Sequence, residues 1–291
     1  MNLPKINSIA PDDNEYTNLL CVIAVVPKRL YFRGTLPKKR QISVAIVGTR
    51  RPTPYGTEVT QRLASELAQR GIIIISGLAL GIDAIAHRAA LAAGGTTIAV
   101  LASGVADFTP RTNARLGAEI IEKGGAVLSE YEPYKQAYPS RFIERNRLVS
   151  GLADALIVTE AALHSGTMST VSFALEQGKE VFAVPGNITS PMSAGTNAII
   201  RSGAHIVTGV EDIINVLLPH DATGAEPNRH LQYATNEAEY AIISLLEQGV
   251  RDGDELLTRS KLTANTYSQN LTMLEIRGVI RPLGANQWTL A

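Results

Sequence analysis

Three arginines and an asparagine fall within one seven-residue stretch, Arg141-Phe142-Ile143-Glu144-Arg145-Asn146-Arg147. Guanidinium groups neutralise phosphates, often through two parallel N–H donors, and an asparagine amide bonds phosphate oxygens or base edges. Phe142 adds a ring on which a base can stack. The same residues also suit a structural arginine network with Phe142 in the core, and the pattern alone leaves both readings open. Four other segments could hold an anion. Gly48-Thr49-Arg50 ends an apolar run and precedes a helix; glycine admits a ligand to the backbone, the helix start offers free N–H groups, and arginine clamps phosphate. Its spacing is not that of the G-x-G-x-x-G dinucleotide fingerprint. Ser76-Gly77 opens a loop with a second glycine at Gly81, and Asp83 and His87 follow it at helix-face spacing, which reads most simply as a helix-start aspartate paired with a histidine. Asn113 and Arg115 lie in Arg111-Thr112-Asn113-Ala114-Arg115, where cations at a helix start are unfavourable unless an anion offsets them. Ser165-Gly166-Thr167 opens a further helix as a phosphate cradle or a simple N-cap.

Catalytic chemistry is harder to find. No nucleophile has a base and an orienting third group, no carboxylate pair has a context for acid–base work, and there is no Walker lysine motif. One cysteine, Cys21, excludes a disulfide framework and a multi-cysteine zinc site, and the five histidines lack ligand spacing. The expectation is therefore a binding protein without catalytic residues, metal or cofactor. Lys+Arg and Asp+Glu are 27 each, so the net charge is zero and no overall cationic field holds a polyanion. Aromatic residues are 5%, which argues against an extended base-stacking surface. No signal peptide or membrane-spanning stretch is legible, which points to the cytoplasm.

The elements that must position these residues follow from hydropathy. Seven short β-branched apolar runs, at Ile42–Val47, Ile72–Ile75, Thr97–Leu101, Ala126–Leu128, Ala155–Val158, Glu180–Val184 and His205–Val207, alternate with segments of helical spacing. Strands buried on both faces read as continuous apolar runs, and helical crossovers join parallel strands. The fold class is α/β: a doubly wound, mostly parallel sheet over residues 41–218, with ligands expected outside the carboxyl ends of its strands. Residues 1–40, with seven basic and three acidic side chains, read as an irregular arm carrying one short strand near Leu19–Val26, either a solvated basic arm or one whose strand lies on the main sheet's edge. Residues 219–234 read as a linker. In 235–291, helices at Ala238–Glu247, Asp252–Ser260 and Ala264–Arg277 precede a hairpin turning at Gly284-Ala285-Asn286, the pattern of a small winged helix.

These motifs, in this order, resemble the DNA-processing protein A family (DprA, also called Smf). The resemblance runs from about 44 to 217. It rests on Val44-Ala45-Ile46-Val47-Gly48-Thr49-Arg50, Ser76-Gly77-Leu78-Ala79-Leu80-Gly81-Ile82-Asp83, Ser129-Glu130-Tyr131, Phe142 through Arg145-Asn146-Arg147, Ser165-Gly166-Thr167, Val184-Pro185-Gly186 and Gly195-Thr196-Asn197. It implies an extended Rossmann-like domain that binds single-stranded DNA, acts as a homodimer and helps load the RecA recombinase onto incoming DNA in natural transformation. The implied site is the Gly48-Thr49-Arg50 loop with Phe142–Arg147. Three features depart from the family pattern: residues 1–40 are too short for the N-terminal helical domain of many members, Thr109-Pro110 stands where Tyr-Pro is usual, and Gly-Thr-Arg replaces Gly-Ser-Arg.

Two other readings compete. One is a ligand-sensing winged-helix transcription factor. Against it, residues 235–291 carry five basic and seven acidic side chains, a poor charge for a duplex reader. The other is a nucleotide-processing enzyme of a related Rossmann-like fold. Here the Gly166-Thr167 loop lacks the Pro-Gly-Gly such enzymes carry, and Thr170 stands where their glutamate falls.

Overall fold

The computed structural model describes residues 4–218 and 233–290. Two compact units divide the chain, Met1–Leu217 and Leu218–Ala291. Of the expected linker, residues 219–232 lie outside the described residues.

In the first unit all seven expected apolar runs form parallel strands: β3 (Ser43–Val47), β4 (Ile73–Ser76), β5 (Thr97–Val100), β6 (Ala126–Ser129), β7 (Ala155–Val158), β8 (Glu180–Ala183) and β9 (His205–Ile206). Helices α1 (Pro54–Gln69), α2 (Ile82–Ala92), α3 (Ala114–Glu122), α4 (Pro139–Leu152), α5 (Thr167–Glu176) and α6 (Ala194–Arg201) connect them, and α7 (Val210–Leu217) follows. β3 to β7 are buried along their length, as strands covered on both faces must be. Alternate side chains feed two apolar layers: Ala45, Ile75 and Leu156 on one face, Val44, Ile74 and Ile157 on the other.

Two more strands, β1 (Asn7–Ile9) and β2 (Leu30–Gly34), extend the sheet. The order among the described residues is β1-β2-β6-β5-β4-β3-β7-β8-β9. From β3 the chain winds outward through β4, β5 and β6, then crosses back to place β7 on the other side of β3. That reversal opens a crevice at the carboxyl ends of β3 and β7, where the Gly48-Thr49-Arg50 and Ser165-Gly166-Thr167 loops begin.

The N-terminal segment is not a solvated arm. Tyr16, Leu20 and Leu30 are fully buried in the core, and the Tyr16 hydroxyl lies 2.9 Å from Ser43 Oγ. β2 pairs antiparallel with β6, and β1 with β2. The strand expected near Leu19–Val26 is instead a 3₁₀ helix, Thr17–Val22. Its cause is local. The Asn14 side chain accepts from the N–H groups of Tyr16 and Thr17, and the Thr17 hydroxyl donates to the Pro11 carbonyl, so the backbone turns where hydropathy alone reads extension.

The second unit is a winged helix with its own core. Helices α8 (Glu237–Glu247), α9 (Gly253–Ser260) and α10 (Ala264–Ile276) pack through Ile242, Ile243, Leu246, Leu256, Leu271 and Leu274. Each starts on a side-chain cap, from Asn236, Asp252 and Thr263. The hairpin β10 (Ile280–Gly284) and β11 (Gln287–Leu290) turns through Ala285 and Asn286, both at positive φ, as the two-residue turn of a right-twisted hairpin requires.

Candidate nucleic-acid interface

A cleft of about 530 Å³ opens at the carboxyl ends of β3 and β7. Its walls are the β3–α1 loop, the first two turns of α4 and the start of α5. Gly48, Thr49, Arg50, Phe142, Arg145, Asn146, Ser165, Gly166 and Thr167 all line it, so nine residues chosen from sequence converge on one space.

Backbone packing fixes the β3–α1 loop. The Thr49 N–H donates to the Glu160 carbonyl (2.7 Å), and the Thr49 carbonyl accepts from the Ile82 N–H (3.2 Å). A side chain at Gly81, which sits at φ +75°, would strike the Thr49 carbonyl oxygen. The Glu160 side chain, buried at the end of β7, accepts from the backbone N–H and the hydroxyl of Thr53 at the start of α1 (2.8 and 2.7 Å). Its carboxylate is thus committed to structure. Arg50 projects from this held loop, exposed, with its guanidinium carbon 5.2 Å from the centre of the Phe142 ring. No carboxylate pairs with it among the described residues.

The floor is different. Arg145 is 4% exposed, and its Nη1 donates to the carbonyls of Gly77 (2.7 Å) and Val100. A Cβ at Gly77 would fall 2.2 Å from that nitrogen, so a side chain there would have to displace the guanidinium from its carbonyl partners. Burial works against the Arg145 charge, and the Asp83 carboxylate supports it. Asp83 accepts from the N–H groups of Gly77 (3.0 Å) and Ala79 (3.4 Å), while its own burial pushes its pKa up. Two buried polar atoms of lining residues have no partner: Arg145 Nε and Ser165 Oγ. Each costs desolvation that no hydrogen bond returns, as do five further buried polar atoms elsewhere in the described residues. At Gly166 a side chain would meet open space, so nothing in the protein crowds the α5 start. The Asn146 amide reaches Ser169 Oγ (2.9 Å) and ties α4 to α5.

Five sequence-chosen residues lie outside the cleft lining. Arg147 is the largest correction. Both Nη atoms grip the Glu130 carboxylate at 2.6 Å and Nε donates to the Val25 carbonyl, so the guanidinium locks α4 onto β6 and the N-terminal segment. Asn113 is buried and donates to the carbonyls of Leu78 and Ala79 (2.9 and 3.1 Å), which shapes the β4–α2 loop. Ser76 donates to the Ile46 carbonyl and bridges β4 to β3. Gly77 serves Arg145 from behind. Arg115 is exposed on α3, away from this lining. The expected Asp83–His87 pair does not form either. His87 is fully buried and bonds Thr97 Oγ1 through Nδ1 (2.6 Å). Because the Thr97 hydroxyl donates to the Ile74 carbonyl, Nδ1 carries the proton. Sequence reasoning missed Ile143 and Pro139 in the cleft wall. Ile143 is 53% exposed beside Phe142, and nothing in hydropathy separates it from a core isoleucine.

Among the described residues, no group of His, Cys, Asp and Glu could hold a metal ion, and no helix is long and apolar enough to cross a membrane.

Comparison with known proteins gives the family and the fold. Residues 7–218 match the family model described as DNA recombination-mediator protein A, and residues 226–286 match that of the DprA winged helix domain. The chain is 41% identical to protein Smf of Escherichia coli over 74% of its own length and 57% of that protein's. It is 39% identical to DNA processing protein DprA of Bacillus subtilis over 78% of its length and 74% of the relative's. Among solved structures, DprA from Streptococcus pneumoniae superposes with a TM-score of 0.67 at 37% identity, covering 73% of this chain and 74% of that one. DNA processing protein A from Helicobacter pylori, whose single-stranded DNA binding mode that structure addresses, gives 0.65 at 34% identity, covering 74% and 96%. The chain belongs to the DNA recombination-mediator protein A family.

Proposed function

We propose that the cleft binds single-stranded DNA and that the protein, as a homodimer in the cytoplasm, delivers the strand to the RecA recombinase during natural transformation. The observation that carries this reading is the Arg50 guanidinium, exposed and without a carboxylate partner among the described residues, held beside the Phe142 ring in the lining of the cleft. A phosphate satisfies such donors, and a base stacks on Phe142 or on the guanidinium plane. The Helicobacter pylori relative, studied for its binding of single-stranded DNA, supports the ligand class. Asp83, a carboxylate of the cleft lining, and Glu160, behind the β3–α1 loop, are held by backbone and threonine donors, which supports a binding role over acid–base catalysis. The acidic balance of the winged helix supports a role for it other than reading duplex sequence.

Anisotropy titrations of a labelled oligothymidylate at several salt concentrations test the reading. Arg50→Ala weakens binding, and the slope of log affinity against log salt falls by about 0.7, one phosphate on a single strand. An unchanged slope removes Arg50 from the site.

A further inference from the structure

Aromatic residues are scarce in this chain, yet Tyr131, Tyr134, Tyr138 and Phe142 fall within twelve residues. Phe142 belongs to the cleft; the tyrosines do not line it. Two of them enclose Arg141. Its guanidinium carbon lies 4.7 Å from the Tyr131 ring centre and 4.9 Å from that of Tyr138, and Nη1 donates to the Gln136 carbonyl. The Tyr131 hydroxyl donates to the Glu144 carboxylate (2.8 Å), which fixes that ring. No carboxylate neutralises Arg141 among the described residues.

Exposure separates this cluster from a purely structural one. Tyr138 is 55% exposed and Tyr134 82% exposed, although each ring would be stabilised by burial. The exposed Tyr138 ring, held by the cation between it and Tyr131, is a pre-ordered platform beside a positive charge, and base–aromatic stacking tolerates any sequence. Its place is continuous with the cleft. Tyr138 caps the start of α4, Phe142 stands one turn later, and both Pro139 and Phe142 line the cleft. Tyr134, Lys135 and Gln136 line a second groove of about 340 Å³, between the β6–α4 loop and the segment joining β5 to α3.

We propose that Tyr138, Arg141 and Tyr131 form a second stacking station for the same strand, one step beyond the cleft, with Arg141 holding the phosphate between the two. This rests on the reading of the cleft as a single-strand site. It predicts a length dependence. The full-length protein is titrated with two oligothymidylates: the shortest that binds measurably, and one long enough to reach maximal affinity. Tyr138→Ala and Arg141→Gln weaken the long oligonucleotide about tenfold and leave the short one unchanged. Tyr138→Phe, which keeps the ring, binds both as the wild type does. Arg50→Ala weakens both. If Tyr138→Ala and Arg141→Gln spare the long oligonucleotide, or weaken long and short alike, the second station is wrong while the cleft stands. If Arg50→Ala changes neither, the cleft reading fails first.

Discussion

Arg50 and Arg147 are both arginines that sequence places on a phosphate, and the fold treats them oppositely. Arg50 leaves a loop pinned by Glu160 and Ile82, lies on Phe142 and has no counter-charge among the described residues. Arg147 is gripped on two oxygens by Glu130, almost out of solvent, and ties three segments together. Two residues earlier on α4, Arg145 lies between these extremes: Nη1 is committed to backbone carbonyls and Nε is buried without a partner. The difference teaches that a guanidinium is a ligand-binding group only when the fold withholds a carboxylate from it. Arginine content along α4 does not measure anion affinity; unsatisfied donors do.

The largest expected effect is on the structural side of that contrast. Arg147→Met leaves Glu130 charged and nearly buried without its partner, which costs about 3 kcal/mol or more of stability. Urea unfolding followed by circular dichroism reads this directly. Arg50→Met, by contrast, changes stability by less than about 0.5 kcal/mol, as an exposed residue without ion pairs should. Pairing Arg147→Met with Glu130→Gln recovers much of the loss, because the uncompensated charge is gone. Equal stability for Arg50→Met and Arg147→Met would erase the contrast.

Behind the cleft floor the contrast takes a pH-dependent form. Burial, then the charges of Arg145 and Arg88, hold the His87 pKa down to about 3, against an ordinary value near 6.5. A depressed pKa means that the folded state requires the neutral ring. Its contribution is intact above about pH 6.5 and is lost progressively as pH falls towards 3. His87→Leu fills a similar space, leaves Thr97 bonded to Ile74, and removes this loss. The stability gap between wild type and His87→Leu therefore shifts by about 2 kcal/mol in the variant's favour between pH 7 and pH 5. Asp83 acts in the opposite sense, since burial raises its pKa, but it is present in both proteins and cancels from the comparison. A gap that stays constant over this range would mean that His87 titrates normally.

The sheet was legible because hydropathy reports burial directly: strands covered on both faces leave continuous β-branched runs, and every one of the seven forms. The cleft was legible for a related reason. Loops at a topological reversal must carry its lining, and Gly48, Arg50, Ser165 and Gly166 are residue types that such loops need. What hydropathy does not encode is the partner of a charge. Glu130 lies 17 positions before Arg147 and meets it only because α4 folds back over the sheet. In the N-terminal segment the basic residues suggest solvent, whereas Tyr16, Leu20 and Leu30 bury it in the core of the sheet domain. Average composition also concealed that the few aromatics are gathered between Tyr131 and Phe142.

The smallest expected effect is the most diagnostic of what separates the two kinds of polar group. Ser165 Oγ is buried at the cleft wall with no partner, so it costs the free protein desolvation without a hydrogen bond in return. If that hydroxyl served structure, as an N-cap would, Ser165→Ala would destabilise the protein by about 1 kcal/mol. No such cap bond forms; the residue at the cap of α5 is Gly166. Ser165→Ala should therefore leave stability unchanged or raise it slightly in urea unfolding. In anisotropy titrations it should weaken single-strand binding severalfold, the worth of one net hydrogen bond. Binding must fall without a fall in stability. A loss of stability with unchanged binding would move Ser165 to the structural side with Arg147, and a loss of both would mean that the cleft wall and its ligand contacts cannot be separated at this residue.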